Sequence, residues 1–310
     1  MNRFVHLCKD PKWFGGVILR RCFSHIIHND ETFIKWEYYF GMGKFPDLFH
    51  PRTYNEKLQW LKLYDKHDEY SQYVDKYEAK ELIKDIIGEE HIIPTLGVWN
   101  SFDEIDFNSL PNRFVLKTTH DSGGVYICKD KFKMNLKEVR KVLNKSLKRN
   151  FFYEHREYPY KNIKPRIIAE KYMVDESGIE LKDYKFFCFD GVPKMMFVAT
   201  DRPLDTRFDF FDTEFNHLPF KQGHPLASKP IFKPDNYHEM LEIAKILSRG
   251  FPHVRVDLYN INGVIYFGEL TFFHFSGNVP FEPEEWDYII GEWLVLPNVD
   301  NGIVKSHIIQ

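Results

Sequence analysis

Cysteine is scarce in this sequence. Four occur in 310 residues, Cys8, Cys22, Cys128 and Cys188, and no two stand in C-x-x-C spacing. A disulfide framework and a cysteine zinc site are thereby excluded, and a reducing, cytoplasmic location is expected. Long apolar runs are missing as well: none approaches the ~20 residues of a membrane-spanning helix. Near the start, Arg3, Lys9, Lys12, Arg20 and Arg21 flank only Val17-Ile18-Leu19. A secretory signal needs a longer apolar centre and a small-residue cleavage site. A basic helix resting on a membrane surface is the most this stretch suggests, so peripheral membrane contact stays open and a transmembrane segment does not. Charge of one sign is lacking too. The formal net charge is -3, which gives no reason to expect a nucleic-acid partner. No internal repeat or low-complexity linker interrupts the chain.

What is present is enough length for a sizeable core, and aromatic residues at 17%. Clusters such as Phe151-Phe152-Tyr153 and Tyr158-Pro159-Tyr160 serve a core first, and stacking on sugars or a base second. The N-terminal third reads as mostly helical. Asp30 can cap a helix carrying Phe33, Ile34 and Trp36. Thr53 with Glu56 makes a capping-box pattern ahead of Leu58 and Leu61, and Asp75 with Glu78 opens a helix that Gly88 stops. Arg113 to Thr118 is a predicted strand ending at Lys117, and it runs into Thr119-His120-Asp121-Ser122-Gly123-Gly124. The glycines let the backbone approach a ligand, and loop N–H groups can cradle phosphate oxygens. The spacing of a Walker loop is absent. With two glycines and no apolar anchor, the loop is expected to be mobile until a nucleotide covers it. A helix opened by Asn135 follows, then strands at 166–169, 182–190 and 192–200, the last two joined at Asp190-Gly191. Asp235 can cap a helix carrying Met240, Leu241 and Ala244.

The richest stretch is Phe251 to Gly277. Val254, Val256 and Leu258 alternate with Arg255 and Asp257, the period of a half-buried strand. Asn262-Gly263 supplies a two-residue hairpin turn, and Val264 to Leu270 returns. The hairpin brings Arg255, Asp257, Glu269 and Thr271 near one another. An acid on each of two paired strands is what a hard divalent cation such as Mg²⁺ needs, and the Arg suits negative charge that develops during a reaction. The same residues would also suit the wet face of an ordinary hairpin.

Taken in order, Asp75-Lys76, the strand–Lys117–glycine loop, Glu170-Lys171-x-Met173 and the R-x-D … E-x-T hairpin resemble the ATP-grasp superfamily. Asn55-Glu56-Lys57-Leu58-Gln59-Trp60, the Lys117 to Gly124 loop, Asp209-Phe210-Phe211-Asp212 and Gly268-Glu269-Leu270-Thr271-Phe272 look like its TupA-like members, bacterial polysaccharide-biosynthesis proteins. The resemblance implies an α/β (α+β) ATP-grasp fold. Its parts would be a mostly helical region over 1–112, a small lid over 113–170, and a mixed-sheet body over 171–310 that holds the metal-binding hairpin. It implies ATP and Mg²⁺ as cofactors. Lys76 looks like the first phosphate-contacting lysine, with Lys80 as its competitor, and Lys117 like the second. Ser122, Gly123 and Gly124 would fold over the phosphates. Glu170, Lys171 and Met173 would form the hinge that reads adenine. Asp183 would hold the ribose, with Glu180 as the competing acid, and Lys185 would reach a phosphate. Arg255 would steady the transferred phosphoryl group, and Asp257, Glu269 and Thr271 would ligate the metal. The superfamily commonly has E-x-N where this chain has Glu269-Leu270-Thr271, so a second metal is not implied.

Such enzymes phosphorylate a carboxylate and let an amine displace the phosphate. In this family the resemblance points to a sugar acid or polysaccharide intermediate as the carboxylate and to an amino acid or other amine as its partner. Arg156, Arg166, Arg202 and Arg207 are candidates to pair with that carboxylate. The alternatives are a glycosyltransferase, although Asp201 to Asp212 contains no D-x-D, and an ATP-dependent kinase.

Overall fold

The structure is a computed structural model, and it describes residues 11–175, 178, 181–201, 205–300 and 303–304. Arg3, Cys8, Lys9, Glu180 and Arg202, named above, lie outside the described residues. Helices α1 (Pro11–Ile18), α2 (Asp30–Met42), α3 (Tyr54–Tyr64), α4 (Tyr70–Val74) and α5 (Glu78–Ile87) come first. Strands β1 (Thr95–Trp99), β2 (Phe114–Thr118) and β3 (Val125–Cys128) follow, then α6 (Leu136–Leu147), α7 (Phe152–His155) and β4 (Ile167–Lys171). The remainder comprises β5 (Asp183–Phe189), β6 (Val192–Thr200), β7 (Arg207–Asp212), β8 (Lys221–Gln222), α8 (Tyr237–Leu247), β9 (His253–Ile261), β10 (Val264–Thr271), β11 (Phe281–Glu282) and α9 (Glu285–Trp293).

Local chemistry sets most of these boundaries. The capping box at α3 is formed: the Thr53 hydroxyl accepts from the Glu56 N–H at 3.2 Å, and the Glu56 carboxylate accepts from the Thr53 N–H at 3.1 Å. Asn135 caps α6 as expected, accepting from the Lys137 and Glu138 N–H groups. At α2 the cap is Asn29 rather than Asp30, because Asn29 reaches the Thr32 N–H at 2.8 Å. At α8 neither Asp235 nor Asn236 caps the helix by its side chain. The Asn236 amide is diverted to the Gly263 carbonyl at 2.9 Å and to Asn260 at 2.6 Å.

Two turns decide the larger sheet. Asp190-Gly191 and Asn262-Gly263 all take positive φ, from 47° to 81°, the conformation of a two-residue hairpin turn. Such turns force their strands antiparallel. The five strands run β10-β9-β5-β6-β7 with every pairing antiparallel, which corrects the expected mixed sheet. One face packs on α8, through Phe186 against Tyr237. The other packs on α3, through Phe187 against Tyr54. Tyr54, Leu58, Leu61, Val74 and Ile83 share one core with the strands of this sheet, so helices α3 to α5 belong to the body.

The smaller sheet has the order β1-β4-β2-β3, again antiparallel, and its own core of Phe102, Leu110, Phe114, Leu116, Val139 and Leu143 beneath α6. Because β1 pairs with β4, this unit begins at Thr95, upstream of the boundary at 113 that the sequence suggests. Among the described residues no helix is long and apolar enough to cross a membrane.

Candidate functional site

The hairpin β9–β10 holds its chemistry in register by a bulge. Phe267 pairs with Leu258 and Glu269 with Asp257, so Gly268 is the extra residue. Without it, the register set by the Asn262-Gly263 turn would place Gly268 opposite Asp257 and turn Glu269 to the other face. With it, Glu269 lies opposite Asp257 and Thr271 opposite Arg255. A Cβ on Gly268 would meet the Asp257 carbonyl oxygen at 2.9 Å, so the close approach requires glycine.

Within that register Arg255 forks onto Asp257: Nε and one terminal nitrogen each donate to a carboxylate oxygen at 2.7 Å. The same guanidinium donates to the Thr271 hydroxyl at 2.9 Å and stands 3.6 Å from the half-exposed Glu269 carboxylate. Lys185, on the neighbouring β5, is buried between Asp257 and Asp183, the latter at 3.3 Å. Burial disfavours charge on Asp257, but Arg255 and Lys185 hold its pKa below the usual carboxylate range.

His274 completes the cluster, and nothing in the local sequence pattern points to it. Arg255 Nη1 lies 2.6 Å from its Nδ1. A guanidinium only donates, so Nδ1 accepts, and the ring proton sits on Nε2, which donates to Gln222 Oε1 at 3.0 Å. Burial and the neighbouring Arg255 push the His274 pKa well down, so the ring is neutral. His274 leads into three consecutive left-handed residues, Phe275, Ser276 and Gly277, with φ of 48°, 56° and 63°. Helix α3 grips this strained turn. Gln59 donates to the Ser276 and Gly277 carbonyls at 3.0 and 2.8 Å, and the buried Lys62 donates to the Ser276 carbonyl and hydroxyl, both at 2.8 Å. Asn55 donates to the Val279 carbonyl at 3.2 Å and to Asp287 at 3.0 Å. The Asn55-to-Trp60 motif is therefore a brace for the turn behind Arg255.

The second half of the site comes from the smaller sheet. Lys117 on β2 and Lys80 on α5 both pair with the buried Glu170 carboxylate of β4, Lys117 at 2.5 Å. Burial opposes ionisation of Glu170, yet the two lysines hold its pKa at about 2. Burial likewise opposes the charge on Lys117, but Glu170, with Glu269 and Asp183 beyond it, raises its pKa above the ordinary value. Lys76 donates to the Asp121 carbonyl at 2.5 Å. Burial lowers its pKa against the pull of Glu269 and Asp121. The hairpin acid Glu269 thus acts on both lysines.

The glycine loop differs from expectation at its base. Thr118, Thr119, His120 and Asp121 are buried. Asp121 accepts from the Thr118 hydroxyl at 2.5 Å, from Ser146 of α6, and from Arg149 at 3.3 Å. A Cβ on Gly124 would meet Thr118 Oγ1 at 1.9 Å and Ser146 Oγ at 2.3 Å, whereas nothing lies within 4 Å of one on Gly123. Only the tip, Ser122 and Gly123, is exposed. The polar anchor went unseen in the sequence because Ser146 and Arg149 lie beyond the next strand.

Other expected residues are placed less simply. Lys171 is exposed, and its backbone N–H already donates to the Pro94 carbonyl at 3.0 Å, so it is not free to read a base; Tyr172 and the half-buried Met173 follow it. Arg156 is buried and donates to the Ser24 and Ile27 carbonyls at 2.6 and 2.9 Å. Arg166 pairs with Asp75 and Glu78, and Arg207 with Asp205. Arg156 and Arg166 are thereby committed to the fold, whereas Arg207 sits in an exposed pair.

No curated protein matches the chain. Among solved structures it is similar to D-alanine–D-alanine ligase from Bacillus anthracis complexed with ATP, at 14% identity and TM-score 0.38, over 64% of this chain and 53% of that one. It is also similar to the ADP complex of purK, N5-carboxyaminoimidazole ribonucleotide synthetase, at 16% identity and TM-score 0.42, over 70% and 50%. A third is the ATP-grasp ligase PsnB with minimal precursor, Mg and ADP, at 12% identity and TM-score 0.37, over 70% and 57%. The chain spans about half the length of these proteins. The TupA-like ATPgrasp family model matches residues 56–295, from the α3 motif through both sheets to the end of α9, and the chain belongs to that family.

Proposed function

We propose that the chain is an ATP- and Mg²⁺-dependent carboxylate–amine ligase that joins an amino acid or other amine to a sugar acid during surface-polysaccharide synthesis. The observation that carries this reading is the register of the β9–β10 hairpin, which gathers Arg255, Asp257, Glu269 and Thr271 beside Lys185. An arginine, a lysine and a half-exposed acid gathered at one place suit a triphosphate and its metal.

The donor set fits a hard cation. Asp257 and Glu269 are carboxylates and Thr271 a hydroxyl, all oxygen, on facing strands. Among the described residues no group of three or more His, Cys, Asp or Glu could hold a metal ion, so phosphate oxygens and waters would have to complete the shell. When bound, Mg²⁺ would neutralise phosphate charge. Arg255, oriented by Asp257 and His274, would meet the transferring phosphoryl group. Lys117 and Lys76 would hold phosphate oxygens, with the Ser122-Gly123 tip closing over them. Adenine would meet the chain beyond Lys171, and Asp183 would face the ribose. A carboxylate oxygen attacks the γ-phosphorus and ADP leaves. The amine nitrogen then attacks the acyl carbon, and phosphate departs with the bonding pair while the nitrogen sheds its proton.

The test is product analysis. The pure protein with ATP, Mg²⁺, uronic acids and amino acids should release ADP and free phosphate in step with amide formation. A phosphorylated acceptor that persists after amine is added would replace the ligase reading with a kinase. Nucleotide released from a nucleotide sugar without ATP would replace it with a glycosyltransferase.

A further inference from the structure

Helix α1 is built inside out. An amphipathic helix normally turns its bulky apolar side to the core. Here the side that meets α2 is small: Gly16 is buried, and a Cβ on Gly15 would meet a ring carbon of Phe40 at 2.2 Å. The bulky side faces outward. Trp13, Phe14 and Val17 form one helical stripe, opposite the buried Gly16 and Leu19, and Trp13 is 46% and Phe14 39% exposed. The helix continues as a wider turn over Leu19–Phe23, and Phe23 and Ile26 beyond it are exposed as well. Arg156 holds this end in place, since it donates to the Ser24 and Ile27 carbonyls.

Helix α2 and the loop after it add a second patch of the same kind. The Trp36 ring lies 5.3 Å from Phe45, 5.9 Å from Tyr39 and 6.0 Å from Phe40, and Tyr39 stacks on Phe45 at 4.9 Å. None of the four is buried, and Trp36 and Phe45 are 43% and 51% exposed. Lys12 of α1 stands 5.9 Å over the Tyr39 ring and joins the two patches. Exposed rings also occur at Phe132, Phe232 and Tyr288, far apart in the chain. Yet six of the nine exposed aromatic residues among the described ones, and both exposed tryptophans, lie between 13 and 49. Scattered rings need no explanation, whereas this concentration marks a surface that something covers.

Charge selects the partner. From Pro11 to Asn29 the chain carries Lys12, Arg20 and Arg21 and no acid, although its net charge is -3. Arg20 turns back to the buried Glu37 at 3.4 Å, and Arg21 is exposed. A second copy docked by a two-fold axis would set this acid-free stretch against its own like charges. A bilayer with anionic headgroups opposes the charges instead, and tryptophan beside cations is the composition of a water–bilayer interface. We propose that α1 and the Trp36–Phe45 patch rest on the surface of an anionic lipid bilayer. Trp13, Phe14, Trp36 and Phe45 sit at the level of the headgroups, and Arg21 meets lipid phosphate. The helix lies on the bilayer and does not span it, since no described helix is long and apolar enough to cross. The inference rests on this surface and not on the ligase reading.

Vesicle flotation of the full chain without ATP tests it, with phosphatidylcholine vesicles holding about one-third phosphatidylglycerol against phosphatidylcholine alone. The wild-type chain should bind the anionic vesicles at least about tenfold more tightly, and the preference should shrink with salt. Trp13→Ser/Phe14→Ser and Trp36→Ser/Phe45→Ser should each lose about fivefold or more at unchanged melting temperature. Arg21→Glu should lose part of the anionic preference. The control Phe132→Ser/Phe232→Ser removes exposed rings outside the surface and should bind as the wild type does. Should a serine variant unfold, quenching of wild-type tryptophan fluorescence by bromine-labelled acyl chains decides, because only rings that reach the lipid are quenched. No flotation at millimolar lipid, equal binding to both vesicles, an equal loss in the control, no quenching, or a wild-type dimer that Trp13→Ser/Phe14→Ser makes monomeric would overturn the proposal. Vesicle binding by a chain that forms no amide would spare this surface and sink the ligase reading, and turnover without vesicle binding would do the reverse.

Discussion

At the scale of single residues, the site divides between groups that meet ligand and groups that hold them. Glu269 is the half-exposed acid of the hairpin, so Glu269→Gln keeps its shape and removes its charge. Turnover should fall by ~10²-fold or more with an unchanged melting temperature. Full activity at limiting Mg²⁺ would disprove the metal role. Lys117→Ala should chiefly raise the KM for ATP, by roughly ten- to a hundredfold, the worth of a hydrogen bond to a charged group. His274 acts through Arg255. His274→Asn keeps an acceptor near the Nδ1 position, and His274→Leu removes it. The Leu variant should lose about tenfold or more in kcat at unchanged KM for ATP, with Asn recovering part of it. If both variants lose alike, the ring is merely packing. Arg255, Asp257, Glu269 and Thr271 were legible because two adjacent strands carry them. His274 was not, since only the fold of the turn after β10 turns its ring onto Arg255. Glu170 was seen as backbone at a hinge, whereas its side chain is what binds Lys80 and Lys117.

Elements tell a different story about the glycine loop. Its base is fixed by Asp121, Ser146 and Arg149, so motion is confined to the tip. Hydrogen exchange should show Thr118 to Asp121 protected with or without nucleotide, and Ser122-Gly123 protected only with ATP and Mg²⁺. Equal exchange at the tip in both states would mean that it does not close on phosphate. The two glycines should also separate by substitution. Gly124→Ala drives a methyl into Thr118 and Ser146 and should cost about 1–3 kcal/mol in urea unfolding. Gly123→Ala meets no atom and bears only its positive φ, about 1–2 kcal/mol at most. Helix starts with side-chain caps were readable from the sequence at Thr53 and Asn135. The start of α8 was misplaced because the Asn236 amide serves the hairpin tip instead.

For the whole molecule, the partition of the core matters most. Helices α3 to α5 pack into the body, and β1 joins the smaller sheet. Neither fact shows in local pattern, because both depend on partners far along the chain. The body's core also carries a titratable group. His253 is buried between the Cys188 carbonyl and the Tyr54 hydroxyl, each at 2.9 Å, so Nδ1 donates and Nε2 accepts. Burial, together with the Arg255 charge, lowers its pKa from 6.5 to about 3. The unfolded chain therefore takes up a proton below about pH 6.5 that the folded chain refuses until about pH 3. Across that window stability should fall with falling pH, by up to about 1.4 kcal/mol per unit from this group. Urea titrations of the wild-type chain and His253→Gln between pH 7 and pH 4 check this (on the order of three pH units of leverage). An identical slope in the two would remove His253 as the cause.

The single extra residue at Gly268 has one more consequence. It absorbs the odd count of the hairpin at its inner end, so the tip at Asn262-Gly263 is uncoupled in phase from the four groups beyond the bulge. Residues can be added to or taken from the tip in cross-strand pairs without moving Arg255, Asp257, Glu269 or Thr271. A lone insertion between Gly268 and Glu269 would turn the return strand over and point both its ligands away from their partners. The length of this hairpin is free to vary, and its parity is not.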